Sequence, residues 1–154
     1  MEFDVYEQGK LSLYNEDNIE WYDKITCWMK KEKGYNIYVF QVRVDNQTDI
    51  VNIYESISAA IAVYFQSNLK KTIEKWNIYL IFECPQIVDW SIKSEVEQDK
   101  FAVRKIVWDK LKKEQINDRE YILKRLLSLN LDLDNKKTND KEVLVDIIRE
   151  KDLL

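Results

Sequence analysis

The sequence predicts an α/β fold with a small sheet of about three strands, a central βαβ unit, flanking helices and a C-terminal helical hairpin. With only 2 Gly and 1 Pro in 154 residues, the chain is a poor candidate for an all-β fold, which needs many tight turns. Two apolar runs of strand length flank one long segment of helical character. Two later segments begin with capping boxes, Asn117 with Glu120 and Asn139 with Glu142.

The first half of the chain supplies the βαβ unit. Five bulky residues at helical spacing predict a first helix at about 17–31, which ends near Gly34: Trp21, Tyr22, Ile25, Trp28 and Met29. β-branched and aromatic residues predict a strand at 35–44, and a polar turn leads into a long helix at about 50–75. A continuous apolar run predicts a second strand at 77–82, parallel to the first through a right-handed crossover.

The second half is less regular. Residues 88–98 carry no clear pattern, and 101–108 are expected to form a third strand. A polar stretch at 132–140 separates the two capped helices. We therefore expect one α/β domain over 1–130, with a linker and terminal helix over 131–154 packed on it.

The composition excludes several kinds of site. Because the chain has no His and only 2 Cys, it cannot build His-based metal sites, Ser-His or Cys-His catalysis, or a four-Cys zinc site. Two Gly are too few for a phosphate-binding loop. We expect a protein that is not an enzyme and needs no cofactor. No apolar signal segment follows the acidic start, which favours a cytoplasmic location away from membranes, with Cys27 and Cys84 as reduced, buried thiols.

Charge is unevenly distributed along the chain. The net charge is −4 overall and −5 over residues 1–25, whereas residues 93–125 carry ten basic and seven acidic residues. That basic segment is the surface expected to face phosphates. With so few cations, the protein alone should bind DNA weakly and reach it through a partner.

A metal-dependent nuclease is the enzyme class that a chain without His could still form, because carboxylates and one Lys can hold Mg²⁺. The expected strand ends offer Asp45, Glu83, Asp99 and Lys100. No Glu-x-Lys motif lies on the predicted strands, and charged strand ends are usually solvated.

Arg104 and Lys105 are adjacent on the third predicted strand, so their side chains should point to opposite faces. We expect Arg104 to be held inside by a carboxylate such as Asp99, while Lys105 reaches a phosphate or a partner's acid. An edge strand protected by its charges is the alternative. Most tryptophans should be core, but Trp90 lies in the unpatterned segment and is a candidate for partner contact.

Two runs of the sequence resemble a known family. Residues 76–82, WNIYLIF, and residues 97–107, EQDKFAVRKIV, are similar to the middle component of bacterial ABC-three-component defence systems, a group that includes the Lamassu-type anti-phage systems. The similarity covers residues 76–108, about a fifth of the chain. The family's functional residues would correspond here to Asp99, Phe101, Arg104 and Lys105.

The resemblance implies a non-catalytic subunit that joins an ABC ATPase of the SMC or Rad50 type to a separate effector such as a nuclease. The ATPase complex would sense foreign DNA, and this subunit would position the effector or hold it inactive. A nuclease-like α/β enzyme and a free-standing nucleic-acid-binding module remain the alternatives.

The terminal segment carries a further candidate contact. A helix over about 140–152 would present an apolar stripe that includes Ile147 and Ile148. This stripe either packs on the preceding helix as a hairpin or binds a partner.

The composition leads to a first testable expectation. Pure protein should not cleave DNA or RNA in the presence of Mg²⁺ or Mn²⁺, because the sequence offers no His to act as a base, no set of zinc ligands and no phosphate-binding loop. A gel-based nuclease assay measures this. Cleavage that disappears in Glu83→Ala or Asp99→Ala would contradict it.

Overall fold

The computed structural model of the chain describes residues 3–16, 19–116 and 118–127. The chain divides into two compact units, 1–117 and 118–154. The first unit contains the sheet, and the described part of the second is a helix at 119–127. The predicted linker and terminal helix, with Ile147 and Ile148, lie outside the described residues, and the expected boundary near residue 130 stays a prediction.

In the described residues, five strands form one sheet, in which neighbours in space follow the order along the chain. They are β1 (Asp4–Val5), β2 (Ile25–Glu32), β3 (Tyr35–Arg43), β4 (Ile78–Glu83) and β5 (Arg104–Trp108). The first three strands pair antiparallel, and β3, β4 and β5 pair parallel. The α/β class and the parallel pairing of the two central predicted strands are confirmed, but the expected number of about three strands is wrong.

Of the helices in the described residues, five lie between strands along the chain and one follows β5. They are α1 (Glu7–Ser12), α2 (Ile19–Tyr22), α3 (Gln47–Ala60), α4 (Thr72–Lys75), α5 (Trp90–Gln98) and α6 (119–127). Asn46 caps α3 by accepting the Asp49 backbone N–H. The helical course continues through a π-helix, Ile61–Phe65, and a 3₁₀ turn, Gln66–Asn68, so the long predicted helix stops seven residues short of 75. Within the described ranges, no helix is long and apolar enough to cross a membrane.

The predicted helix at 17–31 is wrong: in the described part of that segment only α2, Ile19–Tyr22, is helical, and residues 25–31 belong to strand β2. Helical spacing of bulky residues is also compatible with a strand that has apolar side chains on both faces, and Ile25, Cys27 and Trp28 are all buried there. β2 pairs with β3 along its whole length and ends in a two-residue hairpin turn at Lys33 and Gly34. Gly34 therefore turns a hairpin instead of ending a helix, and it has a positive φ of 91°.

One face of the sheet packs against helices and forms the main core. Strand and helix residues meet there: Tyr38, Phe40, Leu80, Phe82, Val103 and Val107 with Ile50, Tyr54, Ile57, Ile61, Phe65 and Val96. We call this the helix-packed face. Cys27 and Cys84 lie in this core as the small apolar residues that the sequence predicts, and burial raises the pKa of both thiols.

The hairpin turn gives the next expectation. Gly34→Ala should lower the free energy of unfolding by about 1 kcal/mol, because an L-residue with a side chain is disfavoured at positive φ. A Cβ atom at this position would meet nothing within 4 Å, so the effect is conformational and not steric. Urea unfolding measures it, and Gly34→Asn is the matched control that should lose less. Equal losses for Ala and Asn would contradict this explanation.

Candidate interaction site

The candidate site is the loop that joins α5 to β5, together with the first residues of β5. Lys105 pairs in register with Leu80 and lies between Val103 and Val107 on the helix-packed face. Its side chain is fully buried. A buried ammonium group needs several acceptors, and the loop supplies them.

Lys105 Nζ holds the loop through three contacts. It donates to the backbone carbonyl of Phe101 at 2.6 Å and to that of Asp99 at 3.2 Å, and it forms an ion pair with Asp99 Oδ1 at 3.4 Å. Burial lowers the pKa of Lys105 from its ordinary value, and the Asp99 carboxylate opposes that shift. The ammonium therefore acts as the internal anchor of the loop.

The Asp99 carboxylate also fixes the other side of the loop. Its Oδ1 accepts the Phe101 backbone N–H at 2.9 Å. The chain then passes through Ala102 at a φ of 64°, a conformation that only surrounding contacts can maintain for a residue with a Cβ atom. The Phe101 ring is left 58% exposed.

Arg104 is exposed on the opposite side of β5 from Lys105, with its guanidinium over the Tyr79 ring at 5.7 Å from the centroid. The expectation that these two side chains point to opposite faces is confirmed. The expectation that Arg104 is the buried member is wrong, because Val103 and Val107 place the helix-packed face at the odd-numbered positions. Arg104 is thus the cation available to a partner.

The outer side of β5 is protected by α5. Glu97 Oε2 accepts the Val107 backbone N–H at 2.8 Å. A carboxylate therefore occupies a backbone donor that another strand would otherwise use. This carboxylate lies at the outer edge of β5, whereas the Arg104 guanidinium lies over Tyr79 of the neighbouring strand β4.

Trp90 is 81% exposed, in keeping with its candidacy for contact, but it begins α5, whereas the loop follows the end of that helix. Nine helical residues separate the two ends by about 12 Å. The structure thus groups Asp99, Phe101 and Lys105 and leaves Trp90 apart from them. Trp76, expected to be core, is 73% exposed.

The carboxylates considered for a nuclease do not converge. Glu83 is fully buried, not solvated at a strand end, and its Oε1 accepts from Gln41 Nε2. Gln41 Oε1 in turn accepts from Trp28 Nε1–H at 2.8 Å. Sequence reasoning missed this buried polar chain, although a Gln and a Glu within apolar strands were its visible signal. In the part of the chain that the structure describes, no three Cys, Asp or Glu residues are arranged to hold a metal ion.

Comparison with known proteins identifies one family. Residues 38–142, about two thirds of the chain, match the family model of the ABC-three component (ABC-3C) system Middle Component 1. The match includes β4, α5, the loop and β5. No curated protein and no solved structure matches the chain significantly.

The two neighbouring cations should respond differently to truncation. Lys105→Ala should lower the free energy of unfolding by about 2 kcal/mol, less than for a fully buried pair because Asp99 keeps some contact with water. Arg104→Ala, the matched control on the exposed side, should leave the unfolding midpoint nearly unchanged. Urea denaturation of both variants tests this. A larger loss for Arg104→Ala than for Lys105→Ala would contradict the assignment.

Proposed function

The chain belongs to the ABC-three component (ABC-3C) system Middle Component 1 family, and from this membership we propose that it is a non-catalytic subunit of a cytoplasmic bacterial anti-phage defence complex. In this proposal it bridges an SMC- or Rad50-like ABC ATPase and a separate effector, as in Lamassu-type systems. The observation that carries the proposal is the family match over residues 38–142. DNA would be reached through the ATPase.

The loop between α5 and β5 suits a binding role. Phe101 and Arg104 are exposed within four residues of one another, and aromatic and Arg side chains are enriched among the residues that dominate protein interfaces. The buried contacts of Lys105 fix the backbone that carries both, which lowers the entropy cost of binding. We propose that Phe101 and Arg104 contact a partner subunit and that Lys105 and Asp99 position them.

Two further contacts belong to the proposal. Trp90, exposed at the start of α5, would form a second point of attachment away from the loop. Ile147 and Ile148 would provide an apolar contact if the terminal segment binds a partner and does not fold back on its own chain.

Co-purification from the native operon tests the assembly. The double variant Phe101→Ala, Arg104→Ala should remain folded but lose most of the partner captured by the wild-type subunit, because exposed groups contribute to binding and little to stability. Arg43→Ala is the matched control, since Arg43 is an exposed Arg at the far end of β3. Its capture should equal that of wild type.

Ile147→Asp separates the two roles of the apolar stripe in the same assay. If the stripe binds a partner, the variant should stay folded and fail to co-purify. If the stripe is internal, burying a carboxylate should unfold or aggregate the subunit, because the desolvation cost is several kcal/mol. A folded triple variant, Arg104→Ala, Lys105→Ala, Ile147→Asp, that still assembles would exclude both contact sites.

A further inference from the structure

Three segments that are distant in sequence meet where the parallel strands begin. Residues 30–34 end β2 and form the hairpin turn, residues 70–76 contain α4 and lead to β4, and residues 99–105 lead into β5. Because β3, β4 and β5 are parallel and β2 is antiparallel to β3, all three segments lie at the same end of the sheet. We call these three segments together the basic end.

Hydrogen bonds join the three segments into one surface. Lys71 Nζ donates to the Gly34 carbonyl at 2.8 Å, which connects the second segment to the hairpin turn. Gln66 Nε2 donates to the Lys75 carbonyl at 2.8 Å and to the Ala102 carbonyl at 2.9 Å, which connects the second segment to the third. The surface spans four neighbouring strands, about 14 Å at the usual strand spacing.

The charge of the basic end is opposite to that of the protein. Each segment contains three basic residues and one acidic residue, so the basic end carries +6 in a chain of −4. Each acidic residue is already engaged. Glu32 pairs with Lys30 at 2.9 Å, Glu74 accepts the Asn36 backbone N–H at 2.8 Å, and Asp99 pairs with Lys105.

Cations and aromatic rings are exposed side by side on this surface. Six of the cations are exposed: Lys31, Lys33, Lys70, Lys71, Lys100 and Arg104. Trp76 and Phe101, at 73% and 58% exposure, adjoin Lys75 and Ala102, whose carbonyls share the Gln66 amide. Two large aromatic side chains are therefore exposed at the same end of the sheet as the six cations.

We propose that the basic end binds a short stretch of single-stranded nucleic acid, with its phosphates against the lysines and its bases stacked on Trp76 and Phe101. Five of the six exposed cations are Lys, a residue depleted in protein interfaces and well suited to phosphates as a point charge. Aromatic rings beside such cations are typical of single-strand binding, where unpaired bases supply the stacking faces. This activity goes beyond the proposed bridging role. It concerns single strands bound by the free subunit, because a partner that contacts Phe101 would cover the ring on which a base would stack.

Fluorescence anisotropy with the full chain and labelled dT12 tests the electrostatic part. Binding should be measurable at 50 mM salt and weaken steeply toward 200 mM, because each neutralised phosphate releases counterions. Lys70→Glu with Lys100→Glu should reduce the affinity more than tenfold and flatten the salt dependence. Lys112→Glu with Lys113→Glu makes the same charge change at the opposite end of the strands and should reduce it less than threefold.

The aromatic residues test the single-strand part. Trp76→Ala with Phe101→Ala should reduce dT12 affinity more than tenfold but change binding to a 12-bp duplex less than twofold, since paired bases are not free to stack. Unfolding midpoints check that the variants stay folded. If a double variant unfolds, the single variant Lys70→Glu should still show a several-fold loss of dT12 affinity.

Three outcomes would overturn the proposal. They are no binding of dT12 at 50 mM salt, equal losses for the two charge-reversal pairs, and equally tight binding of polyglutamate, which would indicate an acidic protein segment as the ligand. None of these outcomes changes the result expected from co-purification with the operon's other subunits. The nucleic-acid proposal and the bridging role are therefore tested independently.

Discussion

The parallel pairing of β3, β4 and β5 is the constraint on which the rest of the structure depends. Parallel neighbours must begin at the same end of the sheet, so β3 and β4 are each followed by a connection that crosses back over a face. The crossovers contain α3 and α5, which bury their apolar sides on the helix-packed face. Each return also delivers a polar segment to the end where the next strand begins, which is why residues far apart in sequence are neighbours there.

A buried polar chain ties the parallel strands to the antiparallel ones. Trp28 of β2, Gln41 of β3 and Glu83 of β4 are linked by side-chain hydrogen bonds on the face opposite the main core. All three are buried, so these bonds replace the water that the polar groups lose on folding. The geometry requires one register between the three strands, because a shift of one residue would turn Gln41 to the other face. These hydrogen bonds thus fix the register of the three strands, which apolar contacts alone would leave free to shift.

Sequence patterns predicted the strands whose apolar runs are longest. The predictions for 35–44 and 77–82 agree with β3 and β4, and the buried helix after the polar turn agrees with α3. The prediction of a helix at 17–31 failed because bulky residues on both faces of a strand can show the same spacing as the apolar stripe of a helix. Only its pairing with β1 and β3 distinguishes the two structures, and pairing is a long-range property. For the same reason, alternation showed that Arg104 and Lys105 differ in burial but could not show which faces the helices.

The charge of the basic end illustrates a second limit of sequence reasoning. A count along the chain finds its excess of cations in residues 93–125, at +3, because it averages over neighbours in sequence. The fold instead adds three short segments, each with a net charge of +2, separated by more than twenty residues. A window along the sequence would have to span residues 30–105 to contain all three. Parallel pairing is therefore the step that turns scattered lysines into one surface.

The same pairing assigns opposite tasks to neighbouring cations in the third segment. Lys105 points to the helix-packed face and donates hydrogen bonds to the carbonyls of Asp99 and Phe101, whereas Lys100 and Arg104 are exposed to solvent. The buried cation therefore sets the backbone from which the exposed cations and Phe101 project. A change at Lys105 would lower the affinity for any ligand of this loop indirectly, because the loop would lose its conformation. The free energy of unfolding would fall at the same time. A change at Lys100 or Arg104 would lower the affinity for the ligand and leave the stability unchanged. Measuring both quantities therefore separates the side chains that contact a ligand from the side chain that positions them.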